Sequence, residues 1–222
     1  MNERTSAQRN APSIAPRVRD ADATRARVLE AAEVLFARKG FDGTRLREVA
    51  EDAKVTVPLV CHHFGDKDSL YAAVIERGIE HFASFGWDVL RRSHTVAEQL
   101  AGFITGLIDL AAHSPNMTAI LHREMADGGE RARPLAERML QPLKNAATET
   151  LRAAQVRGEV REGLDVEMVV LHVVGAVLYP CLAGPLVQIV WGEDPQLGAF
   201  VERRKRALVD LLLPIMLRPQ RA

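Results

Sequence analysis

The chain has 222 residues, with 29 Lys and Arg against 29 Asp and Glu, so its formal net charge is zero. That length suits one large or two small domains with ample core, and the charge balance excludes a global basic field, leaving any nucleic-acid binding to a local patch. Two cysteines, Cys61 and Cys181, show neither metal spacing nor a disulfide framework, and the polar N-terminus lacks the apolar segment of a signal peptide. A reduced, cytoplasmic protein is expected.

In chain order, residues 1–21 read as a disordered basic arm. Its first 19 residues carry Arg4, Arg9, Arg17 and Arg19 against the single acid Glu3. Arms of this kind can reach a minor groove or screen phosphates. A helix follows over 24–39, with Val28, Leu29, Ala32, Leu35 and Phe36 on one face and Gly40 as its C-cap. After the turn Phe41-Asp42-Gly43, Thr44 is the expected N-cap of a helix over 45–52, whose apolar face is Leu46, Val49 and Ala50. Thr56 then caps a short helix over 57–63, with Pro58 in its first turn, where a missing N–H costs nothing. Its side chains (Val57, Leu59, Cys61, His62, His63) are small, polar or imidazole rather than a full apolar stripe. A short helix with an accessible polar face, held by a preceding helix, is the helix-turn-helix plan for entering a DNA major groove. Phe64-Gly65-Asp66 breaks it and a long helix over 67–91 begins at Lys67.

The remainder is also helical: 96–113 ending at Ser114-Pro115, 117–127 ending at Gly128-Gly129, 134–157, 165–191 and 196–217. No run shows period-two alternation, so no sheet is expected. The fold class is all-α. A three-helix DNA-binding domain over 22–80 precedes a helical regulatory and dimerisation bundle over 81–222. Met168–Val187 carries no formal charge over twenty residues, a length that could span a membrane. Gly175, Pro180, Gly184 and Pro185 favour a helix buried in a domain or dimer instead, and no membrane partner is expected. The helices 165–191 and 196–217, the latter with Leu208, Leu211, Leu212, Ile215 and Met216, are the expected homodimer surface. Trp87, Phe103, Leu107, His122, Met125, His172, Tyr179 and Cys181 are candidate walls of a largely apolar pocket, although each also reads as ordinary core or surface. His113, His122 and His172 share no metal-binding spacing, and no metal or cofactor is expected.

Three segments, RVLEAAEVLFARKGFDGT (27–44), LREVAEDAKV (46–55) and HHFGDKDSLYAAVI (62–75), occur in the order and spacing that resemble the DNA-binding domain of the tetracycline-repressor (TetR) family of transcription regulators. The resemblance covers residues 22–80. It implies a ligand-released repressor that binds a palindromic double-stranded DNA operator as a dimer and takes a small, largely apolar effector. It places helix 57–63 in the major groove, with Thr56, Val57, Pro58, Leu59, Cys61, His62 and His63 on the reading helix. Thr44, Arg45 and Lys67 would contact the backbone, and the start of the helix at Lys67 would offer N–H groups to phosphate. Two positions depart from the family: Lys54 stands where glycine is usual and Cys61 where tyrosine is usual. The alternatives are a helical protein-interaction adaptor or a small-molecule enzyme. No Gly-rich phosphate loop, nucleophile elbow or zinc motif is present, so no enzyme is expected.

Overall fold

The computed structural model describes residues 15–218; residues 1–14 of the predicted arm lie outside them. Eleven α-helical segments follow one another: α1 (Ala15–Gly43), α2 (Leu46–Asp52), α3 (Val57–Phe64), α4 (Lys67–Arg92), α5 (Val96–His113), α6 (Pro115–Ala126), α7 (Arg133–Leu135), α8 (Gln141–Val156), α9 (Val166–Leu182), α10 (Gly184–Trp191) and α11 (Gly198–Met216). A π-helical turn, Ala136–Leu140, joins α7 to α8. Among the described residues the one β feature is an isolated bridge between Val160 and Leu217.

Local chemistry sets most of these boundaries. The capping pair Thr95 and Glu98 starts α5, the Thr95 hydroxyl accepting from the Glu98 N–H at 3.2 Å and the Glu98 carboxylate accepting from the Thr95 N–H at 3.0 Å. Asp165 starts α9 by accepting from the N–H groups of Glu167 and Met168 at 3.0 and 3.2 Å. Gly40 breaks α1 as expected, at φ 73° and ψ 179°, and one further turn runs to Gly43.

Four expectations are corrected. First, α1 begins at Ala15, inside the predicted arm. Pro16 sits in the first turn, where it is tolerated, and neither Pro nor Gly interrupts the chain from there to Gly40. Second, α2 starts one residue later than its expected cap, so Arg45 rather than Thr44 is its N-cap. Third, the helix expected over 134–157 contains the π-helical turn at Ala136–Leu140. Fourth, the helix expected over 165–191 is two helices, α9 and α10, bent by 76°. Pro185 has no N–H to continue the α9 ladder onto the Cys181 carbonyl. Pro180 likewise leaves the Ala176 carbonyl without its helical donor, and the Arg204 guanidinium from α11 supplies one at 3.0 Å. Arg204 also donates to the Val177 carbonyl, and burial pulls its guanidinium down from its ordinary value. Among the described residues no single helix is long and apolar enough to cross a membrane.

Two apolar clusters form the interior. The first joins α1 to α4 through Val28, Leu35, Phe36, Val49, Val60, Leu70 and Val74, and takes in Met117 and Ile120 of α6. The second joins α5, α8, α9 and α11 through Ile104, Ile108, Leu151, Val177, Val201 and Met216. The long α4 contributes to both regions. It approaches α8 closely at Gly86, where a Cβ would lie 2.5 Å from Leu143 Cδ2.

Candidate nucleic-acid interface and regulatory cavity

Helix α3 is held by one face. Val60 is buried, and Val57 and Phe64 pack against the first cluster at helical spacing. The opposite face therefore presents Pro58, Leu59 and His62, flanked by Cys61 and His63, with Thr56 exposed at the start. The His62 and His63 rings meet edge-on, their centroids 5.5 Å apart. Cations rim this face. Arg25 of α1 lies over the Phe64 ring at 5.0 Å. Arg45 is exposed, and Lys54 is exposed in the turn before α3. Among the described residues, none of these three makes an ion pair. The Arg45 N–H donates to Glu48 at 3.2 Å, and Lys39 holds that carboxylate at 2.6 Å and keeps it below the usual carboxylate range.

Three expected DNA contacts are placed differently. Thr44 is 1% exposed, and its hydroxyl donates to the Gly40 carbonyl at 2.8 Å, because the break in α1 leaves that carbonyl free of its helical donor. Val57 turns partly into the core. Lys67 lies over the Phe41 ring at 4.4 Å. The N-terminus of α4 is occupied by its own cap: Asp66 accepts from the Ser69 N–H at 2.8 Å, a bond that holds its carboxyl below the usual range. Of the N–H groups at that helix end, the cap takes that of Ser69.

A cavity of about 1010 Å³ lies among α4, α5, α6, α8 and α9, and α1 contributes Glu30 and Glu33 to its wall. Its walls are mostly apolar. Of the expected pocket residues, Phe103, Leu107, His122 and Met125 line it. Trp87, His172, Tyr179 and Cys181 do not. On α4 the stripe Gly78, Phe82, Gly86, Val89 faces the cavity and Trp87 lies off it, while His172 and Tyr179 are exposed on the outer side of α9. Sequence reasoning missed Glu30, Glu33, Arg77 and His81, which join this wall. The glycines inside a long helix, Gly78 and Gly86, were the available signal for it. Among the described residues no group of three His, Cys, Asp or Glu is placed to hold a metal ion.

Helix α6 connects the cavity to the reading unit. His122 and Met125 line the cavity, and the next residues in the same turn grip the other module. Arg123 donates to the carbonyls of Phe36 and Ala37 at 3.1 and 2.6 Å, closing the end of α1 just before Gly40. Glu124 is 2% exposed and accepts from the N–H groups of Arg131 and Ala132 at 2.8 and 3.3 Å. The Arg131 guanidinium covers the Phe41 ring at 4.2 Å. Burial, with the negative Glu124 beside it, pushes the Tyr71 phenol up to about 12.

A short helix rimmed by cations and tied through one helix to an apolar cavity is the arrangement of a helix-turn-helix protein with a second, helical module. The comparisons agree. The pattern described as "Bacterial regulatory proteins, tetR family" matches residues 28–74, and that described as "Tetracyclin repressor-like, C-terminal domain" matches residues 90–187. The chain belongs to the TetR family of bacterial regulatory proteins. It is 34% identical to the HTH-type transcriptional regulatory protein RaaS of Mycobacterium tuberculosis, over 63% of this chain and 63% of that protein's length. It is 29% identical to an HTH-type transcriptional repressor of Streptomyces coelicolor, over 66% of this chain and 72% of the other. The solved structure of AibR in complex with isovaleryl coenzyme A and operator DNA shares the fold at a TM-score of 0.68 and 21% identity, covering 86% of this chain and 98% of that one.

Proposed function

We propose that this chain is a transcriptional repressor that binds a palindromic operator as a homodimer and is released by a small, largely apolar effector in the α4–α9 cavity. The observation that carries the reading is the outward face of α3, where Pro58, Cys61 and His62 stand exposed and Leu59 is half-buried, between cations that have no ion-pair partner among the described residues. His62 and Leu59 face base edges, and Arg25, Arg45 and Lys54 face phosphates. The domain limits follow this division: a reading unit over 22–80 and a regulatory unit over 81–222, joined within α4. The protein would act in the cytoplasm, where its operator is.

The dimer surface of this reading is formed by α9, α10 and α11. Tyr179 is exposed on α9, where the exposed Met168 and Leu171 also line the cavity, Ile189, Val190 and Trp191 are exposed on α10, and Leu211 and Ile215 are exposed one turn apart on α11. Apolar faces this broad call for a partner, and a two-fold copy covers them while pairing two reading helices at half-site spacing. Release requires that the effector prefer a bundle shape in which those helices no longer match the operator. AibR was solved with an acyl-CoA and operator DNA, which supports coupling of this kind on this fold.

The test is binding to the DNA upstream of the protein's own coding region across a salt series. A palindromic footprint is expected, with affinity falling steeply as salt rises. The double substitution Arg45→Ala with His62→Ala is expected to cost roughly 2–5 kcal/mol of operator affinity. Undiminished specific binding by that variant would overturn the assignment of the reading face.

A further inference from the structure

The cavity's charged groups select the charge of its occupant. Five formally charged side chains line it: Glu30, Glu33, Arg77, Lys144 and Glu167, three acids against two bases. Arg77 is already engaged, and Lys144 is loosely placed beside an acid. Arg77 is bonded to Glu33 Oε2 and also donates to the Leu29 carbonyl at 3.4 Å. Lys144 lies 3.9 Å from Glu167, whose carboxylate also receives Arg152 at 3.1 Å. The nearby Arg123 turns away onto the α1 carbonyls. What remains is acidic. Among the described residues Glu30 makes no ion pair, and Glu33 keeps its Oε1 without a partner. The i, i+3 spacing puts both on one face of α1.

We propose that the effector is a lipophilic organic cation, its charged group held at Glu30 and Glu33 and its apolar body lying among Phe82, Phe103 and Leu107. This deepens the effector reading above and rests on it. The volume of about 1010 Å³ stands at the upper end for small-molecule pockets, so a large, multi-ring or branched body fits. Phe82 and Phe103 pack edge to face at 6.5 Å, and such rings favour a positive charge over their faces. An anionic head finds less. It would have to draw Lys144 away from Glu167, and taking Arg77 would strand Glu33 as an uncompensated, largely covered carboxylate. A cation at this point also touches α1 directly and competes with Arg77 for Glu33, the contact that ties α1 to α4. The position of the charge therefore accounts for how occupancy reaches the reading unit.

The experiment uses two ions of nearly equal size and opposite charge, tetraphenylphosphonium and tetraphenylborate, titrated calorimetrically into the full chain and into Glu30→Gln. The phosphonium is expected to bind at least roughly tenfold more tightly than the borate, from one uncompensated carboxylate within a few ångströms of the charge. Glu30→Gln, an exposed change whose folding is checked by its unfolding midpoint, is expected to weaken phosphonium binding several-fold and not borate binding. Equal affinities, a borate preference, binding of neither ion, or a preference untouched by Glu30→Gln would overturn the proposal. Operator binding measured on the same preparation without either ion keeps the two readings apart. Loss of operator binding sinks the repressor reading while the ion ratio still reports on the cavity; operator binding together with a borate preference sinks only the charge assignment.

Discussion

Replacing Lys54 with glycine should stabilise the protein. Lys54 has φ 56° and is the one non-glycine residue with positive φ among those described. It forms the turn between α2 and α3, where the family usually has glycine. An L-residue in the left-handed region costs about 1–2 kcal/mol. Glycine removes that cost but adds about 0.5–1 kcal/mol of unfolded-state freedom. The net is a gain of roughly 0.5–1 kcal/mol. Lys54 makes no ion pair among the described residues, so losing its ammonium forfeits little. For a chain of this size, each kcal/mol moves the melting temperature by about 2–4 °C, so differential scanning calorimetry should show a rise of roughly 1–4 °C. Lys54→Ala is the control. It removes the same charge and keeps the Cβ, so its melting temperature should stay near the parent's. A rise in Lys54→Ala equal to that in Lys54→Gly, or a fall in Lys54→Gly, would refute the argument from backbone strain.

Arg123→Ala leaves the end of α1 without the donors that now close it at 2.6 and 3.1 Å. It should lower stability by about 1–2 kcal/mol in urea unfolding, and it should weaken effector-driven release of the operator; unchanged release would show that α6 does not carry the signal. Tyr71 makes stability depend on alkaline pH. Its phenol is raised to about 12, so the folded state holds the proton more tightly than the unfolded chain does. Its contribution is fully present below pH ~10 and is lost as pH rises from there through the folded value, by roughly 2–3 kcal/mol in all. Urea midpoints from pH 9 to pH 12 measure this, and Tyr71→Phe should flatten that part of the profile. The double substitution Leu211→Asp with Ile215→Asp puts two carboxylates on the exposed α11 stripe, and sedimentation should then show a monomer with weakened operator binding. A dimer of unchanged stability would move the interface off α11.

Much of this architecture is legible along the chain because its causes are local. The start of α5 follows from Thr95 and Glu98, the break in α1 from Gly40, and the start of α3 from Pro58 in its first turn, Thr56 standing at the N-cap without a side-chain capping bond. Each involves groups within a few residues, so side-chain type and spacing suffice to place the helix-turn-helix. The 76° break after α9 also has a local cause in Pro185, yet the apolar continuity of 165–191 masks it. Other features depend on distant partners. Thr44 is a good N-cap by type, but the carbonyl freed at Gly40 takes its hydroxyl and the helix starts after Arg45. Phe103 and Tyr179 look equally suited to a pocket wall, and only the packing of α4, α5 and α9 puts one inside and the other outside. Glu33 meets Arg77 across 44 positions, and Arg123 reaches Phe36 across 87. By itself the sequence determined most of the helices and the helix-turn-helix, because hydrogen bonds within a helix and its caps are short in sequence. The tertiary structure decided the cavity, its acidic remainder and the grip of α6 on α1, because burial and ion pairing join groups that only the folded chain brings together.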